Sequence, residues 1–333
     1  MNPKRIFVTG ASGCIGHYIS EALIQETEHE LFLLVRNPDK LRFNYDARPG
    51  VTIIQADLRE IEYLGDLLKT MDVAILAAAA WGGSAEAFDI NVAKTIRLLE
   101  LLDPDVCQQV IYFSTASVLD RHNQLLKEAG QLGSDYIRSK YHCLQRLAKL
   151  AIAPQVTVLF PTLVLGGDGN KPYSHLSSGM ADVVKWIDLI RWFKADGSFH
   201  FIHAFDIAQV VLYLISYPLL ENSRDSNLAE NPKGTSPEYL VLGNQRVTVN
   251  QAVVEICAYL NKKIYFRIPL YFWLANFFIA LFRIEMSAWD RFSLNYRHFT
   301  HQNPVNPGTL GLRTYCATIV DVMKVSGIER IKR

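Results

Sequence analysis

The sequence predicts an α/β fold, a doubly wound parallel sheet joined to a smaller, mostly helical C-terminal domain, and three observations predict it. Strand-like and helix-like stretches alternate through the first half of the chain, the order that builds a parallel sheet with helices on both faces. The apolar run Arg5-Ile6-Phe7-Val8-Thr9 stops at Gly10, and an amphipathic run opens at Gly13. Strand, glycine loop and helix in that order are the setting of a dinucleotide-binding turn. The chain has 333 residues, half of them apolar, enough to bury two cores and too apolar to stay disordered.

Taken in order, strands are expected over residues 5–9, 31–36, 51–56, 73–77, 110–114 and 156–160, with a later one at 238–241. Helices are expected over 13–25, 60–70, 88–102 and 136–151. In the opening turn Gly10 permits the tight bend, Gly13 admits a pyrophosphate to the backbone, and Gly16 lets the helix press on the strand. With Ser12, Cys14 and Ile15 they form a cradle in which the free amides of the new helix face the phosphates. Beyond Gly166 the pattern loosens: a Gly/Asn/Pro/Ser-rich loop covers 166–179, and the polar stretch 221–237 reads as a connector. The run from Leu270 to Phe282 is almost wholly apolar and has Lys262, Lys263, Arg267 and Arg283 around it. A membrane span needs about 20 apolar residues, so this run reads as a buried helix or the wall of an apolar pocket. Peripheral contact with an anionic membrane surface is the alternative.

The totals exclude several classes. Net charge is +1 with no basic block, so nucleic acid is not an expected partner. The five cysteines (Cys14, Cys107, Cys143, Cys257, Cys316) include no C-x-x-C pair, which argues against a disulfide framework or a zinc site and for a reducing compartment. A core strand begins within a few residues of Met1, leaving no room for a signal or transit peptide, and a cytoplasmic location is expected.

Two groups carry chemistry. Tyr136 and Lys140 stand four apart and share one helical face. A neighbouring ammonium would lower the phenol's pKa toward neutrality, which suits a group that gives and takes a proton. The hydroxyl cluster Ser114-Thr115-Ala116-Ser117 follows a strand, and in a doubly wound sheet the carboxyl ends of strands form the ligand crevice. Taken singly, the pair also suits a helix surface and the cluster a turn.

Taken together, Thr9-Gly10-x-x-Gly13-x-x-Gly16, then Ser114/Thr115, then Tyr136-x-x-Ser139-Lys140 resemble the extended short-chain dehydrogenase/reductase superfamily, whose sheet is a Rossmann fold. Smaller matches fall in family order. Asp57-Leu58 follows the third strand, where the family places an acid against the adenine. Ala77, Ala78, Ala79 and Ala80 stand in place of its cofactor wall, and Asn91-Val92 resembles its N-V motif. The segment from Pro161 through Val164 to Gly166 resembles the stretch that lines the nicotinamide, and the one from Phe201 through His203 to Asp206 resembles the signature before a late helix. The resemblance spans residues 4–260. It implies an NAD(P)-binding domain over 1–165, to which 200–217 and 238–243 return, and a substrate-binding domain over 166–199 and 244–333. It also implies a homodimer built through helices 88–102 and 136–151.

By the same resemblance Tyr136 is the acid/base, Lys140 tunes it and bonds the nicotinamide ribose, and Thr115 hydrogen-bonds the substrate oxygen. Thr115 is favoured because it stands three before Val118; the family's V-Y-G is here Val118-Leu119-Asp120, so Ser114 stays open. His203 belongs to the signature as a structural residue, and His298 and His301 lack a third ligand, so no metal is expected.

The second strand ends Val35-Arg36-Asn37-Pro38. An acid there would bond the 2′-hydroxyl of NAD, whereas Arg36 can meet the 2′-phosphate of NADP; NADP is expected, with NAD second. Sugar-nucleotide members carry arginines that grip a diphosphate, and here the corresponding places are Phe199 and Phe160. Phe199, the aromatic run 271–282 and the stretch Tyr296-Arg297-His298-Phe299 would suit an apolar substrate. The stretches 161–164 and 35–38 resemble dihydroflavonol-reductase-like members. The expected activity is therefore an NADP-dependent oxidoreductase that reduces a ketone or aldehyde, or oxidises the alcohol, of a mostly apolar small molecule. The first alternative is a nucleotide-sugar epimerase or dehydratase, although Thr115-Ala116-Ser117 lacks a dehydratase's acidic pair. The second is a non-catalytic NADP-binding redox sensor, against which Tyr136 and Lys140 are both present.

Overall fold

A computed structural model describes residues 2–217, 236–271 and 285–328. The expected connector is outside this range up to residue 235, as is the apolar run from residue 272 onward. Six strands, β1 (Arg5–Thr9), β2 (Glu30–Val35), β3 (Val51–Gln55), β4 (Val73–Leu76), β5 (Gln109–Phe113) and β6 (Val156–Pro161), form a parallel sheet. The late strand Glu238–Leu242 completes it, in the order Glu238–Leu242, β6, β5, β4, β1, β2, β3. Strand order therefore reverses between β1 and β4. That switch point opens a crevice at the carboxyl ends of the two strands.

Alternation along β1 sends Phe7 to one face of the sheet and Ile6 and Val8 to the other, the two-residue period of a strand buried on both sides. On the Phe7 face lie Leu98, Leu99, Leu144 and Leu147, from helices Thr95–Leu101 and Asp135–Leu147. On the other face α1 (Cys14–Glu26) packs with helix Ala204–Ser216 through Ile19, Leu23, Ile207 and Val211. A further core gathers Leu165, Phe201, Ile256, Cys316 and Val322 under helices Met180–Ile190, Val249–Tyr259 and Ile319–Val325.

Three expected helices differ in detail. The one expected at 60–70 is a 3₁₀ turn, Leu58–Leu64, running into Gly65–Leu68. Asp57 caps that turn and Glu60 closes a capping box, which holds the tighter winding. The one expected at 88–102 begins at Ser84 and passes through a π-helical turn, Asp89–Lys94, before Thr95–Leu101. The one expected at 136–151 spans Asp135–Leu147, with Ser134 as its cap. The C-terminal region also holds more strand than expected: Ser198–Phe199 pairs with Val247–Thr248 on one side and His298–Phe299 on the other.

Candidate active site

A cavity of about 780 Å³ fills the switch-point crevice. Its floor is the glycine turn. Gly10 has φ +79°, and a Cβ there would stand 2.6 Å from the Ala78 nitrogen. At Gly16 a Cβ would meet the Gly10 carbonyl oxygen at 2.1 Å. Gly13 differs: its Cβ would touch protein only at 3.4 Å, so the protein's own packing does not demand glycine there. Gly13 lines the cavity with Ser12, Cys14, Ile15 and Gly16. No side chain caps α1 and its first turn carries no acid. Its free amides and positive dipole end therefore remain available to an anion.

At one end of the cavity stand Arg36, Lys40, Asp57 and Leu58. The Arg36 guanidinium is 3.9 Å from the Asp57 carboxylate, which also accepts from the Arg59 backbone N–H at 2.8 Å. Ala77, Ala78 and Ala79 form the wall beside β4. Pro161 and Val164 line the far side.

The other end holds Ser114, Thr115, Tyr136 and Lys140. Lys140 is 1 % exposed; its Nζ donates to the Phe113 carbonyl at 2.7 Å and lies 4.8 Å from the Tyr112 ring centroid. Burial pulls this ammonium from 10.5 to about 8. Burial pushes the Tyr136 phenol up, not down as its neighbour's charge alone would have it. The geometry gives the reason, since Lys140 Nζ is 5.9 Å from the Tyr136 ring centroid and bonded elsewhere. The phenol is thus a proton donor at neutral pH. Thr115 Oγ1 accepts from the Ser117 N–H at 3.3 Å, leaving its own proton for a ligand. Ser114 Oγ is buried without a partner, so both hydroxyls remain candidates.

Asn91, which the resemblance sets among the cofactor-binding residues, is fully buried outside the cavity lining and holds two pieces of the site together. Its Oδ1 accepts from the Ala80 N–H at 2.8 Å, and its Nδ2 donates to the Ala80 carbonyl and to Ser139 Oγ, both at 2.9 Å. Ser139 Oγ in turn donates to the Tyr136 carbonyl at 2.7 Å. Asn91 lies in the π-helical turn, a widened winding that recurs at functional sites.

Sequence reasoning missed Trp81. Its indole stacks on the Tyr136 ring with centroids 3.8 Å apart and planes 12° apart, and it also stacks with His175 at 5.4 Å. Tyr173, His175 and Leu176 join it in the lining, as does Lys40 at the opposite end. The Trp81-Gly82-Gly83 sequence carried no periodic signal. The aromatic wall drawn from Phe199 and 296–299 is also corrected. Phe199 packs on the C-terminal core; Tyr296 stacks on Phe292, and Phe299 lies tilted against Tyr296 and Trp289, none of them in the cavity lining. His203 caps helix Ala204–Ser216, its Nδ1 accepting from the Phe205 N–H. Among the described residues no cluster of three or more His, Cys, Asp or Glu is placed to hold a metal.

Sheet order, glycine turn and Tyr/Lys pair define a nicotinamide-dinucleotide enzyme of the short-chain dehydrogenase/reductase type. The chain belongs to the NAD dependent epimerase/dehydratase family, whose pattern matches residues 6–229. The crystal structure of gox2253 superposes with a TM-score of 0.66 at 16% identity, covering 96% of this chain and 97% of that one. The UDP-N-acetylglucosamine 4-epimerase of Methanobrevibacter ruminantium superposes at 0.54 with 21% identity over 80% of this chain and 85% of its own. DesIV of Streptomyces venezuelae, a dTDP-glucose 4,6-dehydratase with bound NAD, superposes at 0.60 with 16% identity over 96% and 97%. At these identities the likeness is one of fold. No curated protein sequence matches the chain.

Proposed function

We propose that this enzyme exchanges hydride at a secondary carbinol carbon of a nucleotide-linked sugar and returns the sugar epimerised. The observation that carries the reaction type is the placement of Tyr136, Lys140, Thr115 and Ser114 in the same cavity whose floor is the glycine turn. The residues present fit a dinucleotide: Gly13 leaves room for it, the α1 amides suit its diphosphate, and Arg36 and Lys40 suit phosphate on its adenosine half. When bound, such a cofactor supplies a nicotinamide able to accept or donate hydride.

The protein's share is proton handling and positioning. Tyr136 Oη exchanges a proton with the substrate oxygen, from a phenol that burial keeps protonated when no ligand is present. Thr115, anchored through its Oγ1 lone pair, donates its proton to the same oxygen. Lys140 holds positive charge behind the phenol, steadied by the Phe113 carbonyl and the Tyr112 ring.

Membership of the epimerase/dehydratase family and the nucleotide-sugar enzymes among its structural relatives favour the nucleotide sugar over the free apolar ketone expected from the sequence. Dehydration is disfavoured, because Ala116 and Ser117 stand where it would need carboxyl groups. A net NADPH-dependent reductase is the second reading. It is favoured by Phe199 and Phe160, which stand in the sequence where sugar-nucleotide members carry diphosphate-gripping arginines. For either reading we infer NADP(H) from Arg36 and Lys40. Arg36→Ala with Lys40→Ala should weaken NADP(H) binding about thirty-fold and leave NAD(H) within about two-fold, read by calorimetric titration. Equal losses for both cofactors would remove the 2′-phosphate from the account.

A further inference from the structure

We propose that the surface formed by helix Met180–Ile190 and residues 262–271 docks this enzyme on an anionic lipid bilayer. Trp186 and Leu189 on the helix are 62% and 54% exposed, and Tyr265, Phe266 and Tyr271 are 74%, 61% and 59% exposed. Five large apolar or aromatic side chains exposed within two short segments form the kind of clustered patch that marks an interaction surface.

The two segments form one surface. Lys262 is ion-paired with Asp188 on the helix at 2.8 Å. The Arg191 guanidinium donates to the Lys263 carbonyl at 3.0 Å. The Trp192 and Phe266 ring centroids are 4.9 Å apart, and Ile268–Pro269 pairs as a strand with Phe193–Lys194.

Charge selects the occupant. Residues 180–194 and 262–271 carry six basic side chains (Lys185, Arg191, Lys194, Lys262, Lys263, Arg267) against Asp182 and Asp188, a net +4 where the whole chain is +1. Aromatic side chains among cations suit the headgroup region of an anionic leaflet: rings enter the acyl boundary while ammonium groups meet phosphate. No helix among the described residues is long and apolar enough to cross a membrane, and the proposal is for contact at the surface. The patch begins at the edge of the cavity. Tyr173 and Leu176 line the cavity, are 50% and 42% exposed, and lead directly into the helix.

The test is co-sedimentation with vesicles, which needs neither substrate nor turnover and stands apart from the proposed activity. Full-length protein is spun with phosphatidylcholine vesicles, and with vesicles of about three parts phosphatidylcholine to one part phosphatidylglycerol, at about 0.15 M salt. Binding to the anionic vesicles should exceed that to the neutral ones about ten-fold, and about 1 M salt should remove most of the difference. Trp186→Ser with Phe266→Ser should abolish binding. Lys194→Glu with Lys263→Glu should abolish the anionic preference, and it tests the proposal if the aromatic variant does not fold. Wild-type protein remaining in the supernatant, or binding both vesicle types equally, would overturn the proposal. So would vesicle-independent self-association, seen by light scattering as a particle whose mass halves in the aromatic variant.

Discussion

Burial holds the Tyr136 phenol above its ordinary range and pulls the Lys140 ammonium down to about 8. For Lys140 the folded value lies below the unfolded one, so the folded state binds fewer protons between about pH 8 and 10.5. The neutral-side-chain benefit is complete above 10.5 and is lost as pH falls through about 8. Below that the charged group costs about 3 kcal/mol. Lys140→Met should accordingly raise the stability of the cofactor-free protein at pH 7 by about 1–3 kcal/mol, with the gain vanishing near pH 10. The same variant should lose about 100-fold or more in turnover. Denaturant titrations at the two pH values, run beside activity, check this; a destabilised variant at pH 7 would mean that Lys140 supports the fold. In the wild type kcat/KM should decline above about pH 8 as Lys140 loses its charge. Trp81 acts on the same phenol from the cavity side. Trp81→Ala removes a stacked aromatic pair worth about 0.5–1.5 kcal/mol and should lower kcat/KM about ten-fold while cofactor affinity changes less than two-fold. A matching loss of cofactor affinity would place the indole on the dinucleotide rather than beside the reacting carbon.

Glycine spacing at the first turn was legible because steric demand is local. Gly16 is fixed by the Gly10 carbonyl within the same turn, and Gly10 by its own positive φ as well as by Ala77 and Ala78 just past β4. Gly16→Ala should therefore cost about 3 kcal/mol or more of stability. Gly13→Ala should stay within about 1 kcal/mol and instead weaken dinucleotide binding about ten-fold, since only the cavity lies above it. Melting curves with and without NADPH separate the two; a thermal defect in Gly13→Ala would mean that its glycine serves the fold. The sheet strands were equally legible, since β1, β4, β5 and β6 are short runs buried almost throughout. The π-helical turn was not, because the 3.6-residue pattern through 88–102 gives no sign of the extra residue that turns Asn91 toward Ala80 and Ser139. Its partners are 11 and 48 residues away, in different elements. The Trp81–Tyr136 stack is hidden for the same reason: a loop residue in a glycine-rich stretch meets a helix some fifty positions later.

Across the whole molecule, motif order along the first two-thirds of the chain foretold the crevice, but composition misplaced its aromatic wall. Phe199 and Phe299 are strand neighbours in the small sheet of the C-terminal region, and their rings turn to core and to one another's neighbours rather than to the cavity. An aromatic-rich sequence has no address until the sheet that carries it is placed. Cationic side chains are distributed unevenly as well. Arg36 and Lys40 line the cavity, whereas the net +4 of residues 180–194 and 262–271 lies outside its lining. The fate of the cofactor distinguishes epimerisation from net reduction. Purified protein with NADP(H) or NAD(H) is given nucleotide sugars and, separately, apolar ketones, while the near-ultraviolet absorbance of reduced nicotinamide is followed beside product analysis. An epimerase yields an epimerised nucleotide sugar with no net change in absorbance, and Tyr136→Phe loses that conversion. Net consumption of NADPH by a ketone, with every nucleotide sugar returned unchanged, would contradict the epimerase and establish the reductase.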